Sequence, residues 1–146
     1  MADTREAHVL LAAFIPMLMD TGGNAGAQSS TLIIRSLVLG EIKFSDIWRV
    51  VFKEFRVSIV VGILLSIINV GRIYIIEKNI FLALTVGLTL FVTIITAKFL
   101  GAVLPILAKK VRLDPTIMAS PIITTIVDTV ALVIYFVFAN WMLGLG

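Results

Sequence analysis

Ile80–Ala108 reads IFLALTVGLTLFVTIITAKFLGAVLPILA, with a single charge, Lys98. About 20 apolar residues cross ~30 Å of hydrocarbon, so this run predicts a membrane-spanning helix. Outward from it, three further apolar segments are long enough to span: 7–39, 57–76 and 115–143. The first and third of the four exceed the minimum, which predicts tilt or a broken helix. The first is interrupted at Asp20–Gln28 by DTGGNAGAQ. The expected fold is an all-α membrane protein of four spans, a single domain over residues 1–146, with broken or kinked pore helices.

Composition supports a bilayer as solvent. Hydrophobic residues make up 60% of the chain and charged residues 14%, against about 25% charged in ordinary soluble domains. Mean hydropathy is +1.10. With no cysteine and one histidine, His8, disulfides, thiolate metal sites and zinc chemistry are disfavoured. A net charge of +3 reads as membrane-flanking charge rather than a nucleic-acid surface. The mixed charges Asp3, Arg5 and Glu6 do not make a signal peptide.

The connections carry the charge. Arg35, Lys43, Arg49, Lys53 and Arg56 lie between the first two spans, and Lys109, Lys110 and Arg112 between the last two. Four spans put both connections on one side, and the positive-inside rule makes that side cytoplasmic. Within the first connection, Ile47, Trp48, Val51, Phe52 and Phe55 have helical spacing. They predict a short interfacial helix or, equally, an extra turn at the base of the second span, with Ser45 as its cap.

Of nine acidic residues, only Asp20 and Asp128 read as lying well inside apolar segments. A charge at bilayer depth costs about 2.5–3.5 kcal/mol on insertion scales and marks ion pathways by default. Asp20, Asn24 and Gln28 recur every four residues on one face of the first span, and Ser120, Thr124 and Asp128 do so in the last. Thr125 and Thr129 border that second stripe. Amides and hydroxyls also join membrane helices without any transport role. Thr85, Thr89, Thr93 and Thr96 read as packing, because threonine bonds back to its own helix. Gly22, Gly23 and Gly26 allow close helix approach or loosened backbone with free carbonyls. Pro16 and Pro121 are expected to free carbonyls, and Pro105 to kink or end its span. Lys98 is expected to snorkel to the cytoplasmic side or face the lipid interface, with pairing to an aspartate as the alternative. The oxygen donors suit a hard cation: Mg²⁺, Ca²⁺ or an alkali ion.

Two stretches carry a family resemblance. Pro16–Ser30, PMLMDTGGNAGAQSS, with the following Leu32–Arg35 and Leu39–Glu41, resembles the first signature of MgtE-type magnesium channels and their eukaryotic solute-carrier relatives. Leu113–Phe136, LDPTIMASPIITTIVDTVALVIYF, resembles the last span of that family. The resemblance implies a homodimeric channel in the cell membrane, not an enzyme, that passes hydrated Mg²⁺ into the cytoplasm. It implies Asp128 as central ion ligand, helped by the Thr124 carbonyl and Asn24. Asp20, Gly22, Gly23, Gln28, Ser120 and Thr125 are expected to line the pore. Ser120 stands where some relatives have asparagine. The family's cytoplasmic N-terminal and CBS domains and its first span are not in this sequence, so a piece of a longer protein or a short homologue is expected. The alternatives are a Na⁺- or H⁺-coupled exchanger and, less favoured, an intramembrane aspartyl protease using Asp20 and Asp128, or a non-conducting scaffold. The protease reading lacks the Tyr-Asp and Gly-x-Gly-Asp pair expected of that class.

Overall fold

The computed structural model describes residues 4–144, and the side chains of residues 4–8 and of Ser120 lie outside that description. The expected roles of Arg5, His8 and Ser120 side chains therefore fall outside it. Four helices follow in order: α1 (Thr4–Val38), α2 (Ile47–Glu77), α3 (Ile80–Lys110) and α4 (Ser120–Leu143). Single 3₁₀ turns at Phe44–Asp46 and Pro115–Met118 precede α2 and α4. All four helices contain a stretch long and apolar enough to cross a membrane. The chain is an all-α membrane protein.

The helix boundaries have local causes. Lys78, in the left-handed region at φ 53°, ends α2. The Asn79 side chain then accepts from the Leu82 amide at 3.1 Å, capping α3. Lys109 and Lys110 occupy the last turn of α3, where cations suit the helix dipole. Lys109 Nζ also donates to the Leu37 carbonyl at the end of α1, at 2.9 Å. Lys110 sits 4.0 Å over the Phe44 ring. These contacts bring the two basic connections to one end of the bundle.

Several expected boundaries differ. The glycine-rich stretch does not interrupt α1, which is helical from Thr4 to Val38. The amphipathic stretch after Phe44 is no separate interfacial helix. It is the base of α2, because no glycine or proline stands between Ile47 and Val61 to stop the helix. Asp46 rather than Ser45 caps the turn before it, accepting from the Lys43 amide at 2.8 Å. Pro105 lies inside α3, which continues to Lys110. Pro121 falls in the first turn of α4, where a missing N–H costs nothing. It therefore starts the helix, and the Ile117 carbonyl it was expected to free stands in the preceding turn, outside α4.

α3 is the central helix and packs against the other three. Its side chains enter three apolar clusters along the bundle. One holds Leu82, Val86, Leu90 and Ile94 with Leu18 and Tyr135. The next joins Ala97 to Ala25, Ile123 and Val127. The third joins Ala102 and Ile106 to Ile33, Leu37 and Val50. α2 packs along α3 through Val50, Glu54, Ser58 and Gly62, spaced every four residues. Its remaining surface, including Val60, Leu64, Ile67 and Ile68, is exposed apolar side chain, the form a lipid-facing helix takes.

Candidate functional site

The site lies where α1 meets α4. Helices pack closely only where side chains are small, and α1 supplies glycines at the contact. A Cβ on Gly23 would stand 3.2 Å from Asp128 Oδ1 and 3.4 Å from Thr124 Cγ2. The bare backbone at Gly23 thus leaves room for the carboxylate. Gly22 points inward instead. A Cβ there would meet Thr93 Cγ2 at 2.7 Å and Val127 Cγ1 at 3.2 Å. A Cβ on Gly26 would meet Val127 Cγ2 at 2.9 Å, and one on Gly101 would run into the Gly26 carbonyl oxygen. The glycine run is therefore a helix-crossing surface, and its helical cost is offset by this packing.

Asp128 and Thr124 are half-buried on α4 beside this seam. Asp20, Asn24 and Gln28 are exposed along one side of α1. The structure thus brings Asp128, Thr124 and Gly23 together, with the α1 polar stripe alongside. Gly22 faces the bundle interior, and Thr125 is exposed. The Thr124 and Thr125 hydroxyls both donate to the Pro121 carbonyl, at 3.1 and 2.8 Å. The Thr125 oxygen keeps lone pairs for a further donor or a cation. Among the described residues, no three His, Cys, Asp or Glu side chains converge as a metal cage.

Three of the four α3 threonines bond back to their own helix as expected, whereas Thr93 Oγ1 is buried without a hydrogen-bond partner among the described residues. Thr85, Thr89 and Thr96 donate to the Phe81, Thr85 and Val92 carbonyls. Lys98 corrects the expectation of snorkelling. It is buried, and its Nζ lies 3.6 Å from Glu54 Oε2 and 3.2 Å from Ser29 Oγ. Its partner is a glutamate of α2, not an aspartate. At 7% exposure Lys98 is shut off from water, so its charge is met by the Glu54 carboxylate and the Ser29 hydroxyl. Glu54 is hard to single out in the sequence because it stands among Arg49, Lys53 and Arg56, which look like a connection. Two signals point to it: a mid-span lysine in need of an anion, and the Val50-Glu54-Ser58-Gly62 spacing.

The polar turn before α4 lies outside the spans. The Asp114 side chain accepts from the Thr116 amide at 2.9 Å. Hydrogen bonding to Thr116 holds this carboxyl below the ordinary carboxylate range.

Comparison with known proteins is consistent with this architecture. Residues 15–138 match the family model MgtE, divalent cation transporter. The chain is 37% identical over 138 residues to the magnesium transporter MgtE of Thermus thermophilus, covering 94% of this chain and 30% of that protein. It is 38% identical over 128 residues to the Bacillus subtilis protein of the same name, covering 88% and 28%. The Enterococcus faecalis magnesium transporter MgtE is 30% identical over 131 residues, covering 90% and 29%. The chain spans under a third of the length of these curated relatives. It belongs to the MgtE family of divalent cation transporters.

Proposed function

We propose that this chain forms the ion pathway of a Mg²⁺ channel in the cell membrane. Hydrated Mg²⁺ passes along the α1–α4 seam into the cytoplasm, with Asp128 as its central ligand. Asn24 and Thr124 add oxygens to the shell, and Asp20 and Gln28 line the approach. One observation carries this reading. A half-buried carboxylate at bilayer depth stands against a bare glycine, at the edge of an exposed polar stripe. A polar stripe at that depth does not face lipid. It faces water, and a second copy of the chain closes the far wall, giving a homodimer. Mg²⁺ gives up its waters reluctantly and is typically met by one or two carboxylates, a demand that Asp128 at the seam can meet. The eight basic residues of the two connections face the cytoplasm.

The test is Mg²⁺ uptake into vesicles carrying the full-length protein. Asp128→Ala is expected to abolish uptake while the protein elutes and melts as before. Asp128→Asn, which keeps the volume and removes the charge, is expected to lose most of it. Wild-type flux through Asp128→Ala overturns the assignment. A channel also predicts flux that is indifferent to imposed Na⁺ and H⁺ gradients, and dependence on either gradient favours coupled exchange.

A further inference from the structure

Three helices meet at a charge cluster that the ion ligands do not include. Ser29 Oγ on α1 donates to Glu54 Oε2 on α2 at 2.6 Å. Lys98 Nζ on α3 reaches Ser29 Oγ at 3.2 Å and Glu54 Oε2 at 3.6 Å. Ser29 is fully buried, and Glu54 and Lys98 are 6% and 7% exposed. We propose that Ser29, Glu54 and Lys98 are positioning residues for ion passage: the buried Glu54–Lys98 pair of α2 and α3 holds the Ser29 hydroxyl and so sets the register of α1 and the alignment of its Asn24 face with Asp128. The proposal rests on the ion-pathway reading given above.

Stability alone gives little reason for such a cluster. A buried ion pair is often no better than apolar residues of the same volume, and its best-attested use is to fix register. The surroundings make α1 the element so fixed. Ser30, the next residue, donates through Oγ to the Met118 carbonyl at 2.5 Å, in the turn that leads into α4. Ser29 and Ser30 therefore fasten α1 to α2 and α3 on one side and to the entrance of α4 on the other. Three residues before Ser29, Gly26 crosses Gly101 of α3 backbone to backbone. Lys98 lies one turn before Gly101. Apolar contacts of Leu18, Ile33 and Leu37 hold α1 on α3 above and below this crossing, and the polar bonds of Ser29 beside it add a directional stop. Glu54 also lines a cleft of about 470 Å³ at the basic end, with Arg35, Glu41, Asp46, Arg49 and Lys53.

The test uses the full-length protein with Glu54→Gln, Lys98→Met, the double change Glu54→Leu with Lys98→Met, and Glu54→Asp. The readout is the ratio of Mg²⁺ to Ca²⁺ flux, which does not depend on how much protein folds. A second readout is the rate at which a water-soluble thiol reagent modifies Gln28→Cys. This chain has no cysteine of its own. The single and double variants are expected to change the flux ratio and the thiol rate by about two- to thirtyfold, the range that packed networks carry between sites. Glu54→Asp is expected to change them less. Should a single variant fail to fold, the double variant carries the test, because it leaves no buried charge unpaired. Wild-type ratio and thiol rate in the double variant overturn the proposal. If Asp128→Ala still passes Mg²⁺, the ion-pathway reading falls, and the thiol rate alone decides whether the cluster positions α1.

Discussion

Asp128 owes its place to an atom that is absent. The carboxylate lies against the bare α-carbon of Gly23, in tight contact with the point where a Cβ would stand. Gly23→Ala puts a methyl group 3.2 Å from Oδ1, so the carboxylate must give by a few tenths of an ångström. Mg²⁺ flux is expected to fall severalfold in that variant with little loss of thermal stability. Gly71→Ala is the control, since nothing lies within 4 Å of its Cβ. It is expected to leave flux unchanged and to stabilise α2 by about 0.5–1 kcal/mol, the ordinary helical advantage of alanine. Asp128 and Asn24 are legible in the sequence because a polar group inside an apolar run is costly in lipid and must meet water, an ion or another helix. Glu54 is not, because a charge among charges hides its direction until the helix around it is known. Lys98 stands out in the sequence but its direction does not, since its partner lies on a different helix.

α1 and α3 meet through Gly26 and Gly101, and the crossing is backbone on backbone. A Cβ on Gly101 would run into the Gly26 carbonyl oxygen, which cannot rotate away. Gly101→Ala is therefore expected to destabilise the protein by about 1–3 kcal/mol, as overpacking does, measured as a lower melting temperature in detergent. The number and order of the spans can be read from apolar length alone. Their ends cannot. The stretch from Ile47 to Phe55 has the pattern of a surface helix whether or not it continues into the next span. The absence of a breaking residue decides it. The turn before α4 depends on Asp114, whose carboxyl titrates below its unfolded value. Its contribution is complete above the ordinary carboxylate range and is lost as pH falls through the lowered value. Asp114→Asn is expected to remove that acid dependence from the turn, read by hydrogen exchange at Thr116.

The whole bundle is polarised from end to end. Lys109 reaches the last turn of α1, and Lys110 covers Phe44, so one end gathers both basic connections. Single cysteines at Glu41 and Arg112 are expected to be labelled from the same face of a sealed vesicle, and one at Lys78 from the opposite face. Labelling of positions 41 and 112 from different faces would contradict the arrangement. α2 stands apart in this bundle. It packs on α3 and reaches α1 through Glu54 to Ser29 and Arg72 to Met17. Its 31 residues extend about 46 Å at 1.5 Å per residue; the apolar stretch 57–76 alone matches ~30 Å of hydrocarbon, and the charged base with Arg49, Lys53 and Arg56 stands beyond it. When its bilayer thins, a span of matched length adjusts by tilting, and one held along a single face has the least to resist it. Thinner acyl layers thus bear first on α2, and Glu54 is the buried point where that tilt meets α1. On the ion-pathway reading proposed above, the elasticity of the lipid is a quantity that the path would register without any ligand binding.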